Sequence, residues 1–294
     1  MKKIKIQENE NIRLDNYLLD FLELSRSQIQ KNIKAGLILV NNEIVKTGYI
    51  LKADDEITLL DIVEDRDLFI YEKLDLDILY EDEDIIVINK PTNLVTHPAL
   101  GTNEVTLVSA LIANDIKLSK SDDENRPGVV HRLDKDTTGA IILTKTNKAY
   151  ELFKLMFQNK EIHRTYHLIT NGVIKEDEGI IEAPIARDKK DRTRQSIAND
   201  GREAITKFRV LERFQNNTYV EAKLLTGRTH QIRVHFKYIN YPVLGDPVYG
   251  LKNNQSGQYL HAYKLQFYHP IQKRQMELIA PLPNRFLKML NSLK

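Results

Sequence analysis

The run His131-Arg-Leu-Asp-Lys-Asp-Thr-Thr-Gly139 places a histidine, two cations, two carboxylates and two hydroxyls between apolar segments that end at Val130 and resume at Ala140. Asp134 and Asp136 are two apart, so an extended backbone would put them on one face, as paired carboxylates require. The same spacing suits an Asx-type turn with solvated charges. Gly139 can take the positive φ that returns the chain to a strand. A second cluster sets Arg228, His230, Arg233 and His235 among Ile232, Val234 and Phe236. Arg and His in that density suit a site that binds anions or orients a carboxylate. As metal ligands His230 and His235 lack the His-Glu-x-x-His pattern, the chain has no cysteine, and no metal site is expected. His163 and His167 share only one side of a strand. Elsewhere Asn89-Lys90-Pro91 closes an apolar strand before a turn through Asn93, and Lys90 reads as the cap of its edge. Tyr166 sits in a β-branched, aromatic context, where a tyrosine is ordinarily core.

The elements that must hold these residues are mostly strands. Residues 84–91, 139–146, 164–170 and 218–226 are β-branched and aromatic runs bounded by turn residues. Helical periodicity marks 106–115 and 147–162, the latter with Asn147 as its cap and Leu152, Leu155, Met156 and Phe157 on one face, and a last helix covers 283–293. Strands with interspersed helices and no βαβ alternation predict an α+β fold around a mixed, mostly antiparallel sheet. Residues 1–62 read as a separate small α+β module, 63–75 as a charged linker and 76–294 as the main domain. In the module, Leu14, Tyr17, Leu18 and Phe21 keep helical spacing. A second helix starts near Ser25 or Ser27 and stops at Gly36. Val40-Asn-Asn-Glu43 is a hairpin signal. The second helix carries Arg26, Lys31 and Lys34, which form either a solvated face or a basic surface for phosphates.

Composition narrows the classes. The chain has 294 residues, 41% hydrophobic and 29% charged, enough apolar material for a real core and too much for disorder. Net charge is only +2, so any basic surface is local. The lack of cysteine excludes disulfides and fits a reducing cytoplasm. No apolar run follows the basic start, and none reaches the ~20 residues of a membrane-spanning helix. Neither common glycine-rich phosphate loop is present, so no nucleotide cofactor is expected.

The polar run resembles the signature loop of the RluA-type pseudouridine synthases, which reads His-Arg-Leu-Asp, a polar residue, Asp, then Thr-Ser-Gly or Thr-Thr-Gly. Five further segments resemble that family in its order: "YEDEDIIVINKPTNLVTHPA", "KEIHRTYHLIT", "RDKKDRTRQSIANDGREAITKFRVLE", "LLTGRTHQIRVHFKYINYPVLGDPVYG" and "YLHAYKLQFYHP". They cover most of residues 76 to 285. The first sixty residues resemble an S4-type RNA-binding domain through "RLDNYL", "LSRSQIQKNIKAGLILVNN" and "GYILKADDEI", a combination similar to the large-subunit ribosomal RNA members. Thr92-Asn93 stands where the family has a small residue and glycine, and Asn is the best non-glycine substitute in a left-handed turn. Arg164 stands where the family has lysine.

The resemblance implies isomerisation of uridine in RNA to pseudouridine, a reaction that adds and removes nothing and needs no cofactor. It assigns the catalytic carboxylate to Asp134, its cationic partner to Arg233, and stacking on the uracil to Tyr166, whose hydroxyl would also take the C5 proton. Burial alone favours a neutral carboxyl, so a fixed cation must oppose it. Arg132 would fill the space of the flipped base. Lys189, Lys190, Arg192 and Arg194 would grip phosphates, joined by Arg228 and His230 and, in the S4-like module, by Arg26, Lys31 and Lys34. The expected partner is RNA, ribosomal above all, with transfer RNA or a non-catalytic RNA-binding role as alternatives, and the expected state is a cytoplasmic monomer. A carboxylate-pair glycosidase would need Asp136 as well as Asp134.

Overall fold

A computed structural model describes residues 2–7, 12–22, 24, 26–60, 69–98, 104–191, 193–251 and 257–294. The chain divides into Met1–Leu68 and Phe69–Lys294. In the first unit β1 (Lys2–Lys5), β2 (Ile38–Val40) and β3 (Glu56–Leu59) form an antiparallel sheet in the order β1-β3-β2. Helix α1 (Leu14–Tyr17) runs into a 3-10 turn, Leu18–Asp20, and α2 spans Arg26–Lys34. Leu14, Leu18, Ile29, Ile33, Ile38 and Ile57 are fully buried among them. Asn41 and Asn42 both have positive φ, 53° and 65°, which closes the expected hairpin turn between Val40 and Glu43. Gly36, at φ 73°, ends α2. The expected cap at Ser25 or the Ser27 side chain lies outside the described residues.

The second unit contains β4 (Ile78–Glu81), β5 (Ile85–Lys90), α3 (Leu107–Ala113), β6 (Thr138–Thr144), α4 (Asn147–Gln158), β7 (His163–Asn171) and β8 (Glu178–Glu182). The ribbon β9 (Ile185–Arg187) and β10 (Gln195–Ile197) follows, then β11 (Ile205–Arg213), β12 (Asn217–Leu224), α5 (Gln231–Tyr238), β13 (Leu260–His269), β14 (Arg274–Ile279) and α6 (Asn284–Leu293). One sheet runs β4-β5-β6-β13-β7-β12-β11-β8, with β14 added to β13. Of these pairings only β6 with β13 is parallel, so the sheet is mixed and mostly antiparallel, as expected. Phe69 and Leu74, in the stretch read as a linker, pack against the core of this unit.

The continuous apolar runs of β5 and β6 are explained by burial on both faces. Ile86, Ile88, Ile141 and Leu143 face a core built with Leu107, Val108 and Leu111 of α3 and Ile232 and Phe236 of α5. Ile85, Val87, Ala140 and Ile142 face the other side, against Ala149, Phe153 and Met156 of α4. Two details of α4 differ from expectation. Its cap is Thr146, whose Oγ1 accepts from the Ala149 amide at 3.2 Å, not Asn147. Its inward face is Ala149, Tyr150, Phe153 and Met156, while Leu155 is 52% exposed. Helix α5 falls in the Arg/His cluster, whose alternation of polar and apolar residues carries no helical signature.

Gly139 starts the return of the polar run 131–138 to the sheet. Its φ is 108°, and a Cβ there would overlap the backbone of Ala262, its parallel neighbour on β13. Gly139→Ala is therefore expected to cost about 2 kcal/mol or more, from positive φ and collision together. A urea midpoint unchanged from wild type would show that the β6–β13 contact can give way.

Candidate active site

The loop before β6 is not extended at its aspartates. The Thr137 amide donates to Asp134 O at 3.1 Å, closing a turn through Lys135 and Asp136. The turn breaks the equivalence left by their spacing. Asp134 lines a cleft of about 580 Å³, and Asp136 is not among the residues that line it. The paired-carboxylate geometry considered from spacing is not formed. Three contacts fix the loop from β5 and the turn after it. Thr96 Oγ1 donates to Leu133 O at 2.9 Å, the Leu94 amide donates to Lys135 O at 3.2 Å, and Lys90 Nζ donates to the same carbonyl at 3.0 Å. Asn93 takes φ 60° in that turn, as its place in the family pattern suggested.

Lys90 is not an edge cap. Its side chain is fully buried, and Nζ also donates to Pro91 O and Leu94 O, both at 2.8 Å. Burial pushes its pKa down to about 7 against the pull of Asp134 and Asp136. Three carbonyl acceptors match the three N–H bonds of the ammonium form, the form this site is built to hold.

Arg233 lies in the first turn of α5, almost wholly buried. Its Nη1 donates to Asp134 Oδ2 at 2.9 Å. The bidentate pairing goes elsewhere: Nε and Nη2 donate to the two carboxylate oxygens of Asp246 at 2.7 and 2.9 Å. Asp246 is buried and also accepts from the amides of Val248 and Tyr249. Burial works against the charge on Arg233, but hydrogen bonds to Asp246 and the charges of Asp134 and Asp246 outweigh it and raise its pKa. Burial likewise raises the Asp246 carboxyl, and Arg233 more than reverses this. Arg233 is thus locked by one carboxylate and presents Nη1 to another. Asp246 was not singled out from sequence, because Gly-Asp-Pro reads as a turn and gives no sign of a buried partner.

Tyr166 lies on the middle strand β7, where its register neighbours are Ala222 on β12 and Ala262 on β13. Two alanines leave room beside the ring on the face it shares with them. The ring is buried in the core yet lines the cleft, and among the described residues its hydroxyl has no hydrogen-bond partner. Burial raises the phenol pKa above its ordinary value, so it keeps its proton at neutral pH.

The rest of the cleft is cationic. Arg132, Lys154, Lys160, Arg164, Arg202, Arg228 and Arg233 line it, with Asp134 as its only carboxylate among the described residues. Arg132 is exposed beside Asp134, and Arg228 donates from Nε to Glu203 O at 2.9 Å. Arg164 reaches Thr226 O at 3.4 Å and lies 5.6 Å from the Phe157 ring centre. Lys154, Lys160 and Arg202 were not expected here, since separate elements bring them together. His235 is no ligand: its nitrogens are 2.9 Å from Thr206 Oγ1 and 3.0 Å from Ala183 O. Among the described residues no group of three or more His, Cys, Asp or Glu side chains could hold a metal ion.

The remaining expected RNA contacts fall into two places. Lys189 and Lys190 are exposed in the β9–β10 turn, and Arg192 lies outside the described residues. Arg194 turns inward, donating to Val248 O at 2.6 Å. In the first unit Lys31 and Lys34 are exposed on α2. Arg26 donates to the buried Asp15 at 3.2 Å, so part of its charge is spent within the unit. Burial opposes the Asp15 charge, but bonds from Arg13, Gln30 and Arg26 hold its pKa down to about 2.

A cationic cleft around one arginine-held aspartate, set against a mostly antiparallel sheet, suits an anionic ligand. The pattern of the RNA pseudouridylate synthase family matches residues 84–238, and that of the S4 domain matches residues 12–57. An uncharacterized RNA pseudouridine synthase of Bacillus subtilis is 43% identical over 292 residues, covering 98% of this chain and 96% of its own. A protein of Haemophilus influenzae named ribosomal large subunit pseudouridine synthase D is 38% identical over 300 residues, covering 96% and 91%. The human RNA pseudouridylate synthase domain containing 4 structure superposes with a TM-score of 0.59 over 74% of this chain and 92% of its own. At 24% identity that match shows the fold. The chain belongs to the RNA pseudouridylate synthase family and is an isomerase preceded by an S4 domain. Among the described residues no helix is long and apolar enough to cross a membrane.

Proposed function

We propose that this pseudouridine synthase modifies specific uridines of large-subunit ribosomal RNA, with Asp134 acting at the ribose, Arg233 fixing Asp134 and Tyr166 beneath the uracil. The observation that carries the site reading is the division of the Asp134 carboxylate: Oδ2 is held by Arg233 at 2.9 Å, and Oδ1 remains for the substrate. In the reaction the N1–C1′ bond breaks, the uracil turns, a C5–C1′ bond forms and the C5 proton leaves as N1 gains one. Asp134 serves either as nucleophile at C1′ or as base at C2′, and both need an ionised oxygen beside a fixed cation. The six cations of the cleft other than Arg233 suit the phosphates around a flipped nucleotide. The ribosomal target is supported by relatives named for the large ribosomal subunit and by the S4 domain. The reading places the enzyme in the cytoplasm as a monomer, with residues 1–62 binding RNA and 76–294 carrying catalysis. Mapping pseudouridine across cellular RNA with and without this gene tests it. Sites lost only from transfer RNA would overturn the ribosomal assignment.

Tyr166→Phe removes the hydroxyl of a cleft-lining residue and keeps the ring. If the hydroxyl moves the C5 proton, turnover should fall about 10²-fold while RNA affinity stays within about twofold. Full turnover would reduce Tyr166 to a stacking platform. Removing residues 1–62 should weaken RNA binding and blur site choice, while activity on a short RNA persists. Unchanged selectivity would count against an RNA-binding role for that unit.

A further inference from the structure

His230 has a conformation and a set of neighbours that an RNA contact does not require. It precedes α5 with φ 57°, a left-handed backbone that costs a non-glycine residue energy. Its side chain makes no capping bond to the helix. Instead the imidazole spans two groups. Nδ1 lies 2.9 Å from the Tyr249 hydroxyl, and Nε2 lies 3.9 Å from Asp134 Oδ1, the oxygen that Arg233 leaves free.

Tyr249 determines which nitrogen carries the proton. Its oxygen accepts the Gln195 amide at 2.7 Å, and among the described residues its own proton has no acceptor other than His230 Nδ1. A neutral imidazole that accepts at Nδ1 carries its proton on Nε2. Burial, the largest influence on His230, lowers its pKa despite Asp134, so the neutral ring is the one to consider. The Nε2–H therefore faces Asp134 Oδ1.

Tyr249 is also where the basic ribbon meets the site. Gln195 begins β10, and Arg194 just before it lies over the Tyr249 ring at 5.4 Å. Arg233 lies over the same ring at 5.1 Å.

We propose that His230 and Tyr249 are positioning residues for Asp134: β10 fixes Tyr249, Tyr249 fixes the imidazole, and the Nε2–H aims Oδ1 at the ribose. The inference rests on Asp134 being the catalytic carboxylate. The distance separating Nε2 from Oδ1 is 3.9 Å, about 1 Å longer than a hydrogen bond, and on this proposal the two close on each other when substrate is bound.

The test uses the full chain and an unmodified large-subunit ribosomal RNA transcript. His230→Asn keeps a residue that tolerates left-handed backbone but is too short to reach Asp134. His230→Gln carries an amide N–H of imidazole reach. Single-turnover rates at saturating RNA should fall about 10²-fold in His230→Asn, since misplacement by an ångström has that effect. RNA affinity should be unchanged, and His230→Gln should recover most of the rate. Nitrogen-15 spectra of the histidines should show His230 as the Nε2–H tautomer in wild type and lose that preference in Tyr249→Phe. These spectra need no turnover. Weaker RNA binding with an unchanged saturating rate in His230→Asn would make His230 an RNA contact and overturn the proposal, as would an Nδ1–H tautomer in wild type. If Asp134→Asn retains turnover, the underlying assignment fails. If Asp134→Asn is inactive but His230→Asn is fully active, only this inference fails.

Discussion

Asp134→Asn is expected to abolish pseudouridine formation, lowering the rate by roughly four orders of magnitude or more, while the protein folds and binds RNA. The amide keeps the shape of the carboxylate and loses both its charge and its capacity to attack or accept a proton. Folding should survive because Arg233 is not left as an unpaired buried charge. Its Nε and Nη2 remain on Asp246, which is itself held by the amides of Val248 and Tyr249. Stability should therefore change by no more than about 1 kcal/mol. RNA should bind at least as tightly, since the change removes the one carboxylate that the described residues place in a cationic cleft. Asp136→Asn is the control, because Asp136 lies off the cleft. Nucleoside chromatography of digested RNA after single turnover separates the two variants. Substantial product from Asp134→Asn, or equal loss in both, would remove Asp134 from its place and restore the two-carboxylate alternative.

The contrast between these aspartates shows how far the sequence could be read. Strands such as β5 and β6 were visible because both faces are buried and the runs stay apolar throughout. The turn at Asn41-Asn42 was visible because its chemistry is local. The family pattern singled out Asp134, Tyr166 and Arg233, and the structure brings all three to one cleft. The Asp246 lock on Arg233 could not be read, since Gly-Asp-Pro has the same local form whether its carboxylate is solvated or buried. Helix α5 was missed for a related reason. Arg233, His235 and Lys237 alternate with Ile232, Val234 and Phe236 as on a strand, but tertiary packing buries nearly every side of that helix. The cations supplied by α4, β7 and the segment before β11 meet only through the sheet topology.

Lys90→Met is the change expected to cost most stability, about 3–5 kcal/mol in urea unfolding. Methionine has the length of lysine and suits an apolar surrounding, so the cavity contribution is small. What it removes is the donor to three carbonyls, those of Pro91, Leu94 and Lys135. A buried acceptor left unpaired costs roughly 1–3 kcal/mol; the Leu94 bond is fully buried, and those to Pro91 and Lys135 are partly buried and cost less. The Lys135 carbonyl retains the Leu94 amide as a partner, which keeps the total below the upper sum. The position magnifies the effect. Lys90 pairs with Gly139 in the β5–β6 register and ties down the turn that begins at Asp134. Activity should therefore fall even at denaturant-free temperatures where the variant is folded, because the turn that aims Asp134 has lost its anchor. An opposing term exists, since burying a lysine charge is costly and an apolar replacement avoids that cost. If Lys90→Met proves neutral or stabilising, desolvation outweighs the three hydrogen bonds, and the lysine is retained for the geometry of the loop. Intact stability together with intact turnover would show that the loop is held by Thr96 and the Leu94 amide alone.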